Sequence, residues 1–295
     1  MTYNIPEFLI NMLTDEYGSL ENNIIKSYYI KRYTTIRTNT LLSNDEEIIK
    51  YLDDNNIEYE KGIIKNSFII KNKSAKDLYE LDIVENGKIY IQSLSSMLPP
   101  YFLEPKEKED ILDMAAAPGG KTTLLAAITN NKARICAVEK DKYRFERLKY
   151  NILNQNANSV YIINNDSLKL DDYMKFDKIL LDAPCSGSGT INTNNNAKLK
   201  ISKELIKNSS ILQTKLLDKA LKLLKNDSYM IYSTCSILSI ENEDVLNKIL
   251  PKYNAKIIPI DLNIDNKLPS KINGVLKVMP NEYYEGFFIA KIYKP

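Results

Sequence analysis

Residues 94–295 predict a doubly wound α/β domain on a mostly parallel sheet, and residues 1–93 predict a small α+β domain in front of it. Three observations carry this reading. Five apolar runs (DILDMAA, ARICAVE, VYIINND, DKILLDAP and YMIYSTCS) are continuous rather than alternating, the pattern of strands buried on both faces of a parallel sheet. Helical stretches separate them: KTTLLAAITN, KYRFERLKYNILNQ, the segment from Ser202 to Lys225, and ENEDVLNKIL. Upstream, short pieces alternate between strand and helix patterns: TTIRTNTL, EEIIKYLDDNN, EYEKGIIKNSFIIK, AKDLYELDIV and GKIYIQS. That is the order of a split βαβ unit, and two short helices over residues 5–31 precede it. The chain closes on GVLKVMP and GFFIAKIYK, which predict an antiparallel hairpin at the sheet edge. A length of 295 residues gives each of the two parts room for its own core.

Composition narrows the function. With 44% hydrophobic and 26% charged residues the chain is an ordinary globular protein. It has no apolar run long enough to span a bilayer, and MTYNIPEFLI lacks the marks of a leader, so a cytoplasmic location is expected, with a monomer as the default. There is no histidine, which excludes Ser-His-Asp and Cys-His catalysis and removes the commonest metal ligand. Three cysteines, Cys136, Cys185 and Cys235, show neither disulfide nor zinc spacing, so reduced thiols and no metal are expected. Net charge is +2, but residues 1–93 hold 11 basic against 15 acidic side chains and the remainder 29 against 23. A polyanion-binding face must therefore be local. TINTNNNAKLK is the one low-complexity stretch, an Asn-rich loop.

The first strand of the larger part ends at Asp113 and runs through DMAAAPGGKTT into a helix, placing Gly119 and Gly120 where a ligand can approach the backbone. Glu139 closes the second strand, 19 residues after Gly120, where doubly wound folds put the acid that grips ribose hydroxyls. Asp166 closes the third strand and Asp182 the fourth. A single acid at a strand end reads as a helix cap, whereas four in succession predict one ligand crevice. AAAPGGKT also fits a relaxed P-loop, which would make the chain a P-loop NTPase. Ala115 stands where that loop needs its first Gly, however, and Pro118 has no N–H to offer a phosphate.

Cys185 follows Asp182 in DAPCSGSG, and Cys235 ends the fifth strand in YSTCS. If these strands are neighbours, both thiols reach the crevice. Cys136, in the middle of a strand, reads as a small buried hydrophobe.

These segments together resemble the Nop/Sun family of RNA cytosine-C5 methyltransferases, also called the Fmu or RsmB-like family. The likeness runs from SSMLP (Ser95 to Pro99) through DMAAAPGGKT, DAPCSGSG, YSTCS and ENEDV to GFFIAK, and RTNTL resembles the family's RNA-recognition-like domain more loosely. The resemblance implies a Rossmann-like methyltransferase fold with S-adenosyl-L-methionine as cofactor. The cofactor would be held by Ala115, Ala116, Ala117, Pro118, Gly119, Gly120, Lys121, Glu139, Asp166 and Asp182. It implies rRNA or tRNA as substrate, Cys235 as nucleophile and Cys185 as its helper.

Chemistry gives a reason for two thiols. Carbon 5 of cytosine is a poor nucleophile, and a thiolate added at carbon 6 pushes electron density onto it. The second thiol then suits removal of the carbon 5 proton. Asp182 is expected at the ring N3 region, and Lys121 as a cation favouring thiolate. The base must leave any stack, so unpaired RNA is the expected partner. Arg37, Asn39, Lys31 and Arg32 are expected phosphate contacts.

The chain departs from the common family pattern at Ala115, where Cys is frequent, in the Asn-rich stretch after Gly189, and in PNEYYEGFF, which lacks a histidine. Two rivals remain at this stage. A DNA cytosine-C5 methyltransferase would promote Cys185 to nucleophile, and a catalytically silent RNA-binding assembly factor would keep the fold without turnover.

Overall fold

The structure, a computed structural model, describes residues 5–193 and 199–295; residues 194–198 of the Asn-rich stretch lie outside the described residues. Helices α1 (Glu7–Tyr17) and α2 (Glu21–Ser27) come first. A small sheet follows, built from β1 (Thr34–Thr38), β2 (Tyr59–Lys61), β3 (Ser67–Ile70) and β4 (Ile89–Ile91). Helix α3 (Asp45–Asp54) connects β1 to β2, and the short helices α4 (Ala75–Tyr79) and α5 (Asp82–Glu85) connect β3 to β4. The strand order is β2-β3-β1-β4 with antiparallel pairs. Local chemistry starts the helices: Asn44 caps α3 by accepting from Glu47 N, and Ser74 with Asp77 forms a capping box on α4.

The larger part contains α6 (Leu94–Leu103), β5 (Asp110–Asp113), α7 (Gly120–Ile128), β6 (Arg134–Val138), α8 (Lys142–Asn154), β7 (Val160–Ile163) and β8 (Phe176–Asp182). It continues with α9 (Lys203–Leu223), β9 (Leu224–Thr234), α10 (Glu243–Ile249), β10 (Lys256–Ile258), β11 (Leu276–Val278) and β12 (Phe287–Lys294). The sheet runs β10-β12-β9-β8-β5-β6-β7, parallel from β9 to β7 and antiparallel at β12. The chain winds one way from β5 to β7 and the other way from β8 to β9, so the switch point lies between β5 and β8.

The continuous apolar runs have a simple origin. Ile111, Leu180 and Ile231 face one core with Leu98, Leu124 and Leu148, while Leu112, Ile179, Leu181 and Met230 face the other with Leu217, Leu221 and Leu246. Helices cover both sides, so neither face of a strand is free to be polar.

Two features differ from the sequence reading, and a third, α6, is absent from it. The terminal hairpin forms between β11 and β12, yet β12 lies inside the sheet, flanked by β9 on one side and by β10 and β11 on the other. Its run from Phe287 to Ile292 is buried throughout, which demands neighbours on both sides. Helix α6 forms despite Pro99 and Pro100, each of which removes a helical hydrogen bond, because Leu94, Met97, Leu98 and Leu103 are buried in the first core. Helices α1 and α2 contribute nothing to the small sheet's core; Leu9, Leu13, Ile24 and Ile25 pack with Ile191, Ile206, Ile237 and Leu238 of the larger part.

Candidate active site

The parallel pairing of β8 with β9 sets Asp182 beside Ser233, and the two strands release their chains side by side at their carboxyl ends. Cys185 and Cys235 emerge there with their sulfurs 2.9 Å apart. This is a thiol pair in hydrogen-bond contact and not a disulfide, whose sulfurs lie about 2.05 Å apart. The Cys185 thiol is pushed well above its ordinary pKa, first by its hydrogen bond with Cys235, then by burial, then by the negative charges of Cys235 and Glu241. Contact with Cys235 and burial thus favour the protonated form of Cys185, and either sulfur can donate in the pair.

Glu241 fixes the spacing of the two loops, and sequence reasoning missed it as a functional residue. Its fully buried carboxylate accepts from Ser186 N at 2.7 Å, Ser186 Oγ at 2.5 Å and Ser236 Oγ at 2.6 Å. Ser186 follows Cys185 and Ser236 follows Cys235, so one carboxylate clamps the residue after each thiol. Burial drives the pKa of Glu241 upward, against the hydrogen bonds from Ser186, Ser236 and Gln213 that pull it down. Ser188 Oγ and Ser236 Oγ, 2.9 Å apart, add a second tie, and Thr234 Oγ1 donates to Asn242 at 2.6 Å. Serines directly behind both cysteines, with an acid a few residues further on, were the available signal.

In front of the thiols lies a cavity of about 390 Å³, lined by Asp113, Ala115, Ala116, Ala117, Pro118, Gly120, Lys121, Asp182 and Cys235, among others. Cys235 lines this cavity, and Cys185 touches it through the Cys235 sulfur. Lys121 Nζ bonds Asp182 Oδ2 at 2.7 Å and Ser96 Oγ at 2.7 Å, and Ser233 Oγ donates to Asp182 Oδ1 at 2.8 Å. Burial works against the charge on Lys121, but the Asp182 ion pair, Asp113 and Cys235 outweigh it and hold its pKa above the ordinary value.

The four acids fall in two adjoining spaces, Asp113 and Asp182 in the larger. Glu139 and Asp166 line a narrow space of about 40 Å³ with Met114, Lys140 and Arg144, which meets the larger cavity at Ala115. Glu139 is almost fully buried, accepts from Asp141 N at 2.9 Å and faces Arg144 Nη1 at 3.6 Å. Asp166 Oδ1 caps the turn after β7 by accepting from Leu168 N. Asp113, the first of the four strand-end acids, is buried. Its Oδ2 accepts from Thr122 at 2.7 Å, while its Oδ1 is buried with no partner. Burial lifts the Asp113 pKa to about 6, with Thr122 pulling it down and Asp182 pushing it up.

The expected phosphate contacts fare differently. Arg37 and Asn39 are corrected, because both are buried in the packing between the small sheet and the larger part. Arg37 donates to Gln92, Gly120 O and Thr123, and burial lowers its pKa to about 10. Asn39 donates to Gly87 O and Gln155 O. Neither can reach an RNA phosphate. Alternation explains it: Ile36 enters the small core, so its neighbour Arg37 points at α7, just as Phe68 faces the small core and Ile69 the large one. Arg32 donates to Thr190 O and Ile191 O, and Lys31 is exposed. Cys136 packs against the second core, and burial, then the Asp113 charge, raises its pKa to about 11.

A β5-to-β8 switch point and a mostly parallel sheet with an antiparallel strand at β12 give the chain the Rossmann-like methyltransferase fold. Residues 100–293 match the family model of the 16S rRNA methyltransferase RsmB/F, and the chain belongs to that family. It is 34% identical to the tRNA (cytosine(49)-C(5))-methyltransferase of Pyrococcus abyssi, over 88% of each chain. It is 27% identical to the probable ribosomal RNA small subunit methyltransferase B of Bacillus subtilis, over 98% of its own length and 66% of that relative's. The crystal structure of a methyltransferase homolog protein from Pyrococcus horikoshii superposes with a TM-score of 0.86 at 31% identity, covering 99% of this chain and 96% of that one. Among the described residues no helix is long and apolar enough to cross a membrane, and no cluster of three or more Cys, Asp or Glu is placed to hold a metal.

Proposed function

We propose that this chain transfers a methyl group from S-adenosylmethionine to carbon 5 of a cytosine in rRNA or tRNA, with Cys235 as covalent nucleophile. The observation that carries the reading is Cys235 in the wall of a cavity shared with Asp182 and Lys121, with the Cys185 sulfur 2.9 Å from its own. In the same reading residues 1–93 form an RNA-recognition-like domain, residues 94–295 the catalytic domain, and the protein works as a metal-free cytoplasmic monomer.

The residues fit the cofactor. Asp113 Oδ1 is a buried carboxylate oxygen without a partner in the cavity wall, suited to an ammonium group. Glu139 and Asp166, in the adjoining space, are the carboxylates that would accept from the cofactor's hydroxyls. When bound, S-adenosylmethionine supplies a methyl group on a sulfonium with a neutral thioether as leaving group.

The chain's own groups do the rest. The Cys235 sulfur bonds carbon 6 of the ring and moves an electron pair onto carbon 5, which then takes the methyl group. Asp182 and Lys121, already paired, hold the N3 edge of the base and meet the charge that builds there. Once the Cys235 sulfur is bonded to carbon, the hydrogen bond and negative charge that kept Cys185 protonated are gone. Cys185 releases its proton to water more readily and, as thiolate, takes the carbon 5 proton. The carbon 5–carbon 6 double bond re-forms and Cys235 leaves as thiolate, restoring the pair.

The test is transfer of tritium from methyl-labelled cofactor to total RNA, followed by nucleoside analysis. Label in 5-methylcytidine supports the reading, whereas RNA retained without label would make the chain a silent binder.

A further inference from the structure

Three cavities meet at Ile91. The catalytic one is flanked by a larger space of about 670 Å³ and a smaller one of about 230 Å³, and Ile91 lines all three. Tyr79, Tyr90 and Pro118 are shared with the larger flank, and Gln92, Ser93 and Glu285 with the smaller. Together they make one groove along the seam between the small sheet and the large one, with Cys235 near its middle.

Each flank is walled by tyrosines with a cation beside them. On the larger flank Tyr79, Tyr143 and Tyr150 are 65%, 69% and 63% exposed. Tyr143 and Tyr150 lie two turns apart on one face of α8, with Arg147 between them, its guanidinium 4.7 Å from the Tyr143 ring centre. On the smaller flank Tyr33 stacks on Tyr283 at 5.7 Å, with Lys71 Nζ 4.0 Å from one ring centre and 4.9 Å from the other.

We infer that this groove binds an unpaired RNA strand, with the target cytosine in the central cavity and its neighbours on either side stacked on the two sets of tyrosines. The inference rests on the proposed activity and deepens it by naming where the flanking nucleotides lie. A base that swings into the cavity leaves its neighbours without a stacking partner, and exposed aromatic rings supply one regardless of sequence. A duplex, whose bases are already stacked, gains nothing there. Glu80, Glu85 and Glu146 on the larger flank repel phosphate, so the bases face that wall and the backbone faces solvent.

The test pairs binding with turnover. Anisotropy with a short fluorescein-labelled oligocytidine reads the groove, and tritium transfer to heat-denatured total RNA reads the reaction. A double Tyr143→Ala, Tyr150→Ala variant is expected to bind the oligonucleotide about five- to fiftyfold more weakly. Its KM for RNA should rise while turnover at saturating RNA and cofactor affinity hold. A double Tyr143→Phe, Tyr150→Phe variant should bind as the parent does, because the rings remain. Tyr173→Ala, 92% exposed and outside the groove, is the control. Unchanged binding and KM in the alanine variant, beside an active parent, overturns the groove alone. A parent that binds oligocytidine through these tyrosines yet labels no RNA overturns the activity and keeps the groove. A parent that binds no oligocytidine overturns the inference outright.

Discussion

The junction behind the two thiols and the groove in front of them are built by opposite rules. Behind, Glu241, Ser236, Asn242 and Thr234 are wholly buried and bonded to one another, so the loops that carry Cys185 and Cys235 have little freedom. In front, Tyr79, Tyr143 and Tyr150 stand mostly in solvent. Bond-making chemistry needs atoms held to fractions of an ångström, whereas recognition of a flexible strand needs surfaces that adapt. Substitutions behind the thiols should therefore act on turnover, and substitutions in front on RNA affinity.

The largest effect is expected from Cys235→Ala, which should lower methyl transfer by at least about 10⁴-fold while leaving cofactor affinity intact, measured by single-turnover transfer. Lys277→Met comes next. Lys277 is buried between Glu16 of α1 at 2.7 Å and Glu243 of α10 at 2.8 Å, and Glu16 also accepts from Ser239 N and Oγ. Removing the cation strands two carboxylates and should cost about 3–5 kcal/mol in a denaturant titration. A much smaller loss would show that α1 is only loosely tied to the loop after Cys235. Glu241→Gln keeps the volume but weakens three hydrogen bonds; turnover should fall about ten- to hundredfold with KM for RNA unchanged. A rise in KM alone would place Glu241 on the recognition side of the comparison.

The smallest effect concerns pH. The folded pKa of Asp113 is raised from 3.8 to about 6, chiefly by burial. In the free protein its contribution to stability is thus fully present below about 4 and is lost as pH rises through about 6. An ammonium group prefers the ionised carboxylate, so cofactor affinity should fall about tenfold per unit as pH drops below 6 and level off above it. Asp113→Asn should bind more weakly and lose this slope in calorimetric titrations across that range. A slope unchanged in the variant would assign the proton to another group.

How far the sequence carried this account depended on the kind of information involved. Continuous apolar runs located β5, β6, β7, β8 and β9, because helices cover both faces of the sheet they build. The positions of Asp182, Lys121 and Cys235 followed from strand ends meeting helix starts. What local pattern cannot express is which face a polar residue takes once a second layer docks. Arg37 looked like a phosphate ligand and is instead buried against α7, since its strand is covered on both sides. Glu241 escaped because its function exists only when the loops after β8 and β9 lie together, 55 residues apart in sequence at Ser186. The inner place of β12 was hidden for the same reason, its neighbours β9 and β10 being distant in the chain.

The central claim is that the sulfur of residue 235, and not that of residue 185, bonds the cytosine. RNA carrying 5-fluorocytosine cannot release the carbon 5 substituent, so it should trap the enzyme as a covalent adduct visible as a mass shift. The account predicts adduct with the parent and with Cys185→Ala, and none with Cys235→Ala. Adduct in Cys235→Ala together with none in Cys185→Ala would contradict it.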